Sequence, residues 1–205
     1  MQIQQDRLFL DDGTPCPFKE SPNHAGPLVP ELLVLHFTAG RSAQHSVAWL
    51  ANPRARASAH LVIAEDGAIT QLVPFNRVAW HAGKSSFNGR AQVNQFSIGI
   101  ELANPGNLHQ TGSTWRTWFG EPVDSESVLA AAHKQGGPVQ GWKIFTPAQL
   151  EAAIDVGALL VQTYRLKEVV GHDDIAPGRK VDPGPAFPMA RYRGLVLGRA
   201  DELVA

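Results

Sequence analysis

Leu32-Leu33-Val34-Leu35-His36-Phe37 is the stretch whose reading decides the fold class. It is a short, nearly unbroken apolar run that ends in a polar residue and is broken by Gly40, the pattern of a central strand buried on both faces. Working outward, Ala43 to Leu50 predicts a helix. Ala59 to Ala64 and Ala68 to Val73 predict a β-hairpin around the tight turn Asp66-Gly67. Phe96 to Leu102 predicts another strand, with Phe96, Ile98 and Ile100 on one face and Ser97, Gly99 and Glu101 on the other. The small neighbours of Glu101 leave room beside it.

The flanking regions differ in character. Pro15, Pro17, Pro22, Pro27 and Pro30 deny backbone donors to a regular ladder, so residues 1–30 read as an irregular strap. Residues 31–205 then form the main domain, since 205 residues favour one sizeable core. Residues 104–145, rich in Gly, Pro and polar side chains, are too long for a simple connection and read as an insertion flanking a groove. Thr146-Pro147-Ala148-Gln149 offers an N-cap, a first-turn proline and the glutamine of a capping box, opening an amphipathic helix to about Arg165. Val169-Val170 delivers Gly171-His172, and a last helix is expected from about Pro188.

Composition narrows the partners. With 18 basic and 19 acidic residues the formal net charge is -1, so no global field exists to hold nucleic acid or an anionic membrane. Cys16 is the single cysteine, which rules out an intrachain disulfide and suits a reducing compartment without requiring one. The first residues, Met1 to Arg7, lack the layout of a secretory signal, and no apolar run approaches the roughly 18 residues of a membrane span. A cytoplasmic protein without membrane insertion is the expectation.

No H-E-x-x-H, G-x-S-x-G, P-loop or G-x-G-x-x-G motif is present. What remains are polar residues at strand ends: His36, Glu101 and the segment from Gly171 to Gly184. A hydrolytic zinc ion takes three protein ligands and keeps a fourth position for water, and His36, His172 and Asp182 supply such a set. Lys180 and Asp182, two apart in extended chain, face the same cavity. Taken singly each residue has a plainer reading. A lone histidine after an apolar strand is more often a hydrogen-bonded structural residue, Glu101 an ion-pair partner and Lys180 a solvated loop charge. Asp173 and Asp174 read as turn and capping residues, and His45, His109 and His133 receive no role.

Six segments in order resemble the amidase-2 family of N-acetylmuramoyl-L-alanine amidases, which also includes phage amidases and animal peptidoglycan recognition proteins. They are Ser21-Pro22-Asn23, Leu35-His36-Phe37-Thr38-Ala39, Ser58 to Ile63 with Asp66-Gly67, Ala79-Trp80-His81-Ala82-Gly83, Ser97 to Leu102, and Gly171-His172 to Gly184. The resemblance implies a single α/β domain with a mixed central β-sheet flanked by helices and one zinc ion at the sheet's edge. It implies hydrolysis of the amide between N-acetylmuramic acid and L-alanine, with peptidoglycan or a muropeptide as partner. His36, His172 and Asp182 match the family's ligand positions, Glu101 its general base and Lys180 the cation facing the oxyanion.

Many phage and animal members carry a tyrosine before the strand histidine and a cysteine as third ligand, where this chain has Ala59 and Asp182. That places it nearer the bacterial amidases that use glutamate, and makes His60 a structural residue. Trp80 and His81 either line the groove, with Trp80 stacking on a sugar, or are a core residue and a loop hydrogen-bonder. A non-catalytic peptidoglycan-binding module is the alternative function.

Overall fold

Hydrophobic parity along β4 (Leu32–Phe37) sets the layers. In the computed structural model, which describes residues 1–199, Leu33 and Leu35 enter one core while Leu32 and Val34 enter another on the opposite face. The five-stranded sheet around it runs β16 (Glu168–Gly171), β4, β10 (Ser97–Leu102), β5 (Leu61–Ile63) and β6 (Ile69–Gln71). The first four strands are parallel, and β6 folds back antiparallel on β5, so the sheet is mixed as expected.

Two helices cover one face. Val156 and Leu160 of α2 (Pro147–Tyr164) and Tyr192 and Val196 of α4 (Met189–Leu197) share a core with Leu33, Leu35, Ile98 and Ile100. Each such fully buried side chain contributes about 1.5–3 kcal/mol of apolar burial. On the other face, Leu50 of α1 (Ala43–Leu50) packs with Val62, Leu72 and Val73, while Leu32, Val34 and Val170 pack with Ala82, Val93 and Ile175. Phe96 departs from the expected alternation: it ends a 3-10 turn, Val93–Phe96, and joins this second group instead of the helix side.

Residues 1–30 are more regular than an irregular strap. β1 (Gln2–Gln4) and β2 (Arg7–Phe9) form a hairpin, and β3 (His24–Pro27) pairs with β7 (Arg77–Ala79). The prolines interrupt the spaces between these strands or sit on an edge, where no ladder donor is needed. Gln71 Oε1 fastens the hairpin by accepting from Leu8 N at 3.0 Å. The main domain expected over 31–205 extends past the described residues at its last six positions.

The insertion is a second sheet. β11 (Asn107–Thr111), β12 (Thr114–Arg116), β13 (Pro122–Val123), β14 (Val128–Ala131) and β15 (Gln140–Lys143) pair antiparallel in the order β13-β12-β11-β15-β14. A smaller hairpin, β8 (Ser86–Phe87) with β9 (Arg90–Ala91), lies before β10. Among the described residues no helix is long and apolar enough to cross a membrane.

The start of α2 is as read from sequence in two respects and different in a third. Thr146 caps the helix by accepting from Gln149 N at 3.1 Å, and Pro147 opens it. Gln149 does not reach back as a capping-box glutamine. Its side chain is fully buried and its Nε2 donates to Ile63 O at 3.1 Å and Ala103 O at 3.0 Å, tying the helix to two strand ends. Ile63 O also accepts from Ala103 N, so the carbonyl that depends on Gln149 is that of Ala103. Gln149→Leu strands it, and a buried carbonyl left unpaired costs about 1–3 kcal/mol. Urea unfolding is expected to show a loss of that size; a change below about 0.5 kcal/mol, the scale of surface substitutions, contradicts the anchoring role.

Candidate metal centre

The register of three parallel strands brings the site together. Glu101 of β10 is the Cα partner of His36 of β4, so both project from the face that also carries Leu32 and Val34. Gly171 of β16 is the partner of Leu35, so His172 leaves the sheet next to His36. His172 opens the one-turn α3 (His172–Ile175), whose first turn is capped as Asp174 Oδ2 accepts from Gly171 N at 2.8 Å. The loop after α3 returns when Asp173 N donates to Asp182 O at 2.8 Å, which carries the Asp182 side chain back to the two histidines. The carboxyl ends of parallel strands are where open α/β sheets place ligands.

Three donor atoms converge there. His36 Nδ1 lies 2.9 Å from His172 Nδ1 and 3.0 Å from Asp182 Oδ2, and His172 Nδ1 lies 2.9 Å from the same oxygen. All three side chains are buried. The hydrogen-bond network assigns their tautomers. Ser97 Oγ donates to Val93 O at 2.7 Å, so it accepts from His81 Nε2 at 3.2 Å. His81 Nδ1 is then the acceptor for His36 Nε2 at 3.0 Å, and His36 Nδ1 is left with its lone pair turned into the site. His172 Nε2 donates to Ala82 O at 3.1 Å, which likewise frees its Nδ1. Outer partners of this kind are what fix the orientation of metal-binding imidazoles.

Electrostatics agree with that assignment. Burial, helped by the neighbouring His172, pushes His36 down to about 4, and burial with the charge of His36 holds His81 well below the ordinary histidine range. In these tautomers the two imidazoles and the carboxylate present two lone pairs and a negative charge to one point. Without a cation this arrangement is repulsive, and with one it is a three-ligand set. The residues present fit a metal ion.

Glu101 stands beside this set with Oε2 buried and without a hydrogen-bond partner among the described residues. Burial and the charge of Asp182 raise its pKa well above the ordinary value, against the pull of Lys180. The charge of Lys180 also reaches His36; its backbone N donates to Ala176 O at 3.0 Å, and its side chain forms no hydrogen bond or ion pair among the described residues.

The sequence-selected residues do not all converge. His81 is buried in contact with His36, and its ring lies over Gly99, where an added Cβ would sit 2.4 Å from it. The room expected on the Gly99 side of Glu101 is thus filled by an imidazole. Trp80 is 37% exposed and pinned through its backbone to Ser58, outside the lining of the groove that reaches Glu101. His60 is structural: Gly99 N donates to its Nδ1 at 3.0 Å and its Nε2 donates to Arg77 O at 2.9 Å.

One cluster escaped sequence reasoning. His133 Nε2 lies 3.0 Å from Asp173 Oδ2, Lys134 reaches Asp173 at 2.9 Å and Asp174 at 2.7 Å, and Gln135 Nε2 donates to Asp173 O at 2.7 Å. Asp173 is therefore a buried ion-pair partner and not only a turn residue. The insertion grips the loop that carries two of the three donors, across 40 residues of sequence that hold no local sign of the pairing.

If His81 sets the tautomer of His36, His81→Ala weakens metal binding by about 10–100-fold, the usual effect of removing an outer partner. Competition against a chelator measures it, and an unchanged dissociation constant refutes the relay.

Comparison with known proteins gives the family. The family model for N-acetylmuramoyl-L-alanine amidase, amidase-2, matches residues 26–185. The 1,6-anhydro-N-acetylmuramyl-L-alanine amidase AmpD of Escherichia coli K12 is 40% identical over 141 residues, 69% of this chain and 59% of that protein. The match thus spans less than two thirds of that relative. The N-acetylmuramoyl-L-alanine amidase AmiD of the same organism is 39% identical over 122 residues, 58% of this chain and 35% of AmiD. A crystal structure of an AmpD derivative superposes with a TM-score of 0.62 at 29% identity, covering 95% of this chain and 99% of that one. AmiD of E. coli, in complex with the substrate anhydro-N-acetylmuramic acid-L-Ala-D-gamma-Glu-L-Lys, gives 0.63 at 31% identity over 83% of this chain and 59% of that one. With its mixed sheet, its flanking helices and a family match across most of its length, the chain belongs to the amidase-2 family of N-acetylmuramoyl-L-alanine amidases.

Proposed function

We propose that this chain is a zinc-dependent amidase that hydrolyses the bond between N-acetylmuramic acid and L-alanine in peptidoglycan or its soluble muropeptides. The observation that carries the reading is the meeting of His36 Nδ1, His172 Nδ1 and Asp182 Oδ2 within 3.0 Å, beside a buried Glu101 oxygen that has no partner. His36, His172 and Asp182 would hold the ion, and two nitrogens with one carboxylate oxygen are a common hydrolytic zinc set. Zinc bound there supplies Lewis acidity, polarising a carbonyl and making water a better acid.

The protein's own groups do the rest. Glu101 takes the proton of the attacking water and returns it to the departing amine of L-alanine. Its raised proton affinity suits both transfers, because a carrier works best when its pKa approaches the working pH. Lys180, whose side chain forms no hydrogen bond or ion pair among the described residues, faces the negative oxygen that develops at the attacked carbonyl. AmpD's name ties that relative to the 1,6-anhydro sugar, so the anhydro-muropeptide is the first substrate to test and recycling in the cytoplasm the proposed setting.

Mass spectrometry of intact peptidoglycan and of anhydro-muropeptide after digestion is expected to show free stem peptide beginning with L-alanine. Binding of either without release of that peptide would instead identify a recognition module. Glu101→Gln keeps the side-chain volume and loses the base, so turnover falls by about 10²–10⁴-fold with metal content unchanged; near-normal turnover excludes Glu101 as proton carrier. Lys180→Met lowers kcat and kcat/KM together by about 10²–10³-fold while zinc occupancy and Tm hold. Unchanged kcat removes the oxyanion role, and loss of zinc points to support of Asp182 instead.

A further inference from the structure

A groove of about 680 Å³ runs from Glu101 outward between α1 and the insertion, within the size range of small-molecule sites. Two indoles line it: Trp49 of α1, 56% exposed, and Trp118 of the insertion, 67% exposed. Single exposed aromatics are ordinary. Two that line one channel ending at Glu101, whose Oε2 is buried and has no hydrogen-bond partner among the described residues, are a shaped surface.

Trp118 is also held in place. Its turn is closed by Gly120 N donating to Thr117 O and Thr117 N donating to Glu121 O, each at 2.9 Å. The indole Nε1 donates to Ala39 O at 2.8 Å, just beyond the strand that carries His36. Its ring meets Phe119 edge to face at 5.3 Å, and the guanidinium of Arg41 lies 4.6 Å over Phe119 while pairing with Glu121 at 2.6 Å. An indole fixed in this way loses little further freedom when a ligand lands on it.

Charge selects the ligand. Apart from Glu101 at its inner end, the groove is lined by small, aliphatic, hydroxyl, amide, imidazole and aromatic groups, with no lysine or arginine, and Arg41 near its rim is matched by Glu121. A cation stands at the other end of the strand row: Arg179, in the loop after α3, donates to Ala82 O and Lys84 O at 2.7 Å. Strand order sets these ends apart, since β16 is one edge and α1 packs over β5, beyond β10. A stem peptide bearing carboxylates is drawn to the basic end, and a neutral sugar to the aromatic one.

We propose that the Trp49–Trp118 groove is a saccharide subsite, in which a neutral N-acetylated pyranose of the glycan attached to the scissile amide stacks on the Trp118 indole. The inference rests on the amidase reading for its choice of substrate. It makes the insertion a determinant of how much glycan the enzyme engages.

Isothermal titration of the zinc-loaded protein with N-acetylchitotriose, and separately with the free stem tetrapeptide, tests it. The unaltered protein is expected to bind the trisaccharide. Trp118→Ala and Trp49→Ala should each weaken that binding by about ten-fold or more, as for a central aromatic anchor, with a much smaller effect on the peptide. Trp118→Phe should restore most of the affinity, and thermal melting shows that each variant is folded. No trisaccharide binding, equal losses for both ligands, or loss confined to the peptide overturns the subsite. Release of free stem peptide by the unaltered protein is followed in parallel. Its absence refutes the amidase reading, whereas trisaccharide binding that depends on Trp118 upholds the subsite independently.

Discussion

The parallel register between β4 and β10 is the constraint on which the site depends. Because Glu101 is the Cα partner of His36, a one-residue slip of either strand would turn one of the two side chains into the helix-covered core. Hydrophobic parity prevents the slip: Leu33 and Leu35 on β4 and Ile98 and Ile100 on β10 enter the same core. The burial energy that folds the sheet therefore also fixes the distance between a metal ligand and the carboxylate beside it. The third strand, β16, adds His172 through the same alignment, with Gly171 opposite Leu35.

Around that frame, uncharged groups decide what the charged ones can do. The chain from Val93 O through Ser97, His81 and His36 directs a lone pair into the site with no charge along it. It exists only because Gly99 has no side chain, so that the His81 ring can lie against β10. A glycine in mid-strand weakens a sheet, and here the cost is offset by room for an imidazole that orients another.

Much of this was legible from residues alone where a local pattern carried the information. β4 and α1 fall at the predicted residues, the Asp66-Gly67 hairpin is present, and the N-cap of α2 is Thr146 as expected. His36 and His172 were visible as polar residues at the ends of apolar runs, and Asp182 as a carboxylate in the polar segment that follows His172. What stayed hidden was non-local. Gln149 looked like a capping residue because its position in the first turn suits that role, yet two strand-end carbonyls compete for it more favourably. Asp173 looked like a turn residue because its partners, His133 and Lys134, lie 39 to 40 positions away. The second sheet escaped notice because strands such as Thr114–Arg116 and Pro122–Val123 are too short and too polar to alternate recognisably.

The grip of His133, Lys134 and Gln135 on the loop after β16 has a thermodynamic side. His172 and Asp182 bracket the segment being gripped, so order in the loop and order in the insertion are linked equilibria. Whatever free energy an occupied metal site contributes to holding that loop is felt by the insertion, and the insertion returns the same amount to the site, because coupling between two binding events is reciprocal. Trp118 lies in the turn between β12 and β13 of the sheet whose β14–β15 connection carries this grip.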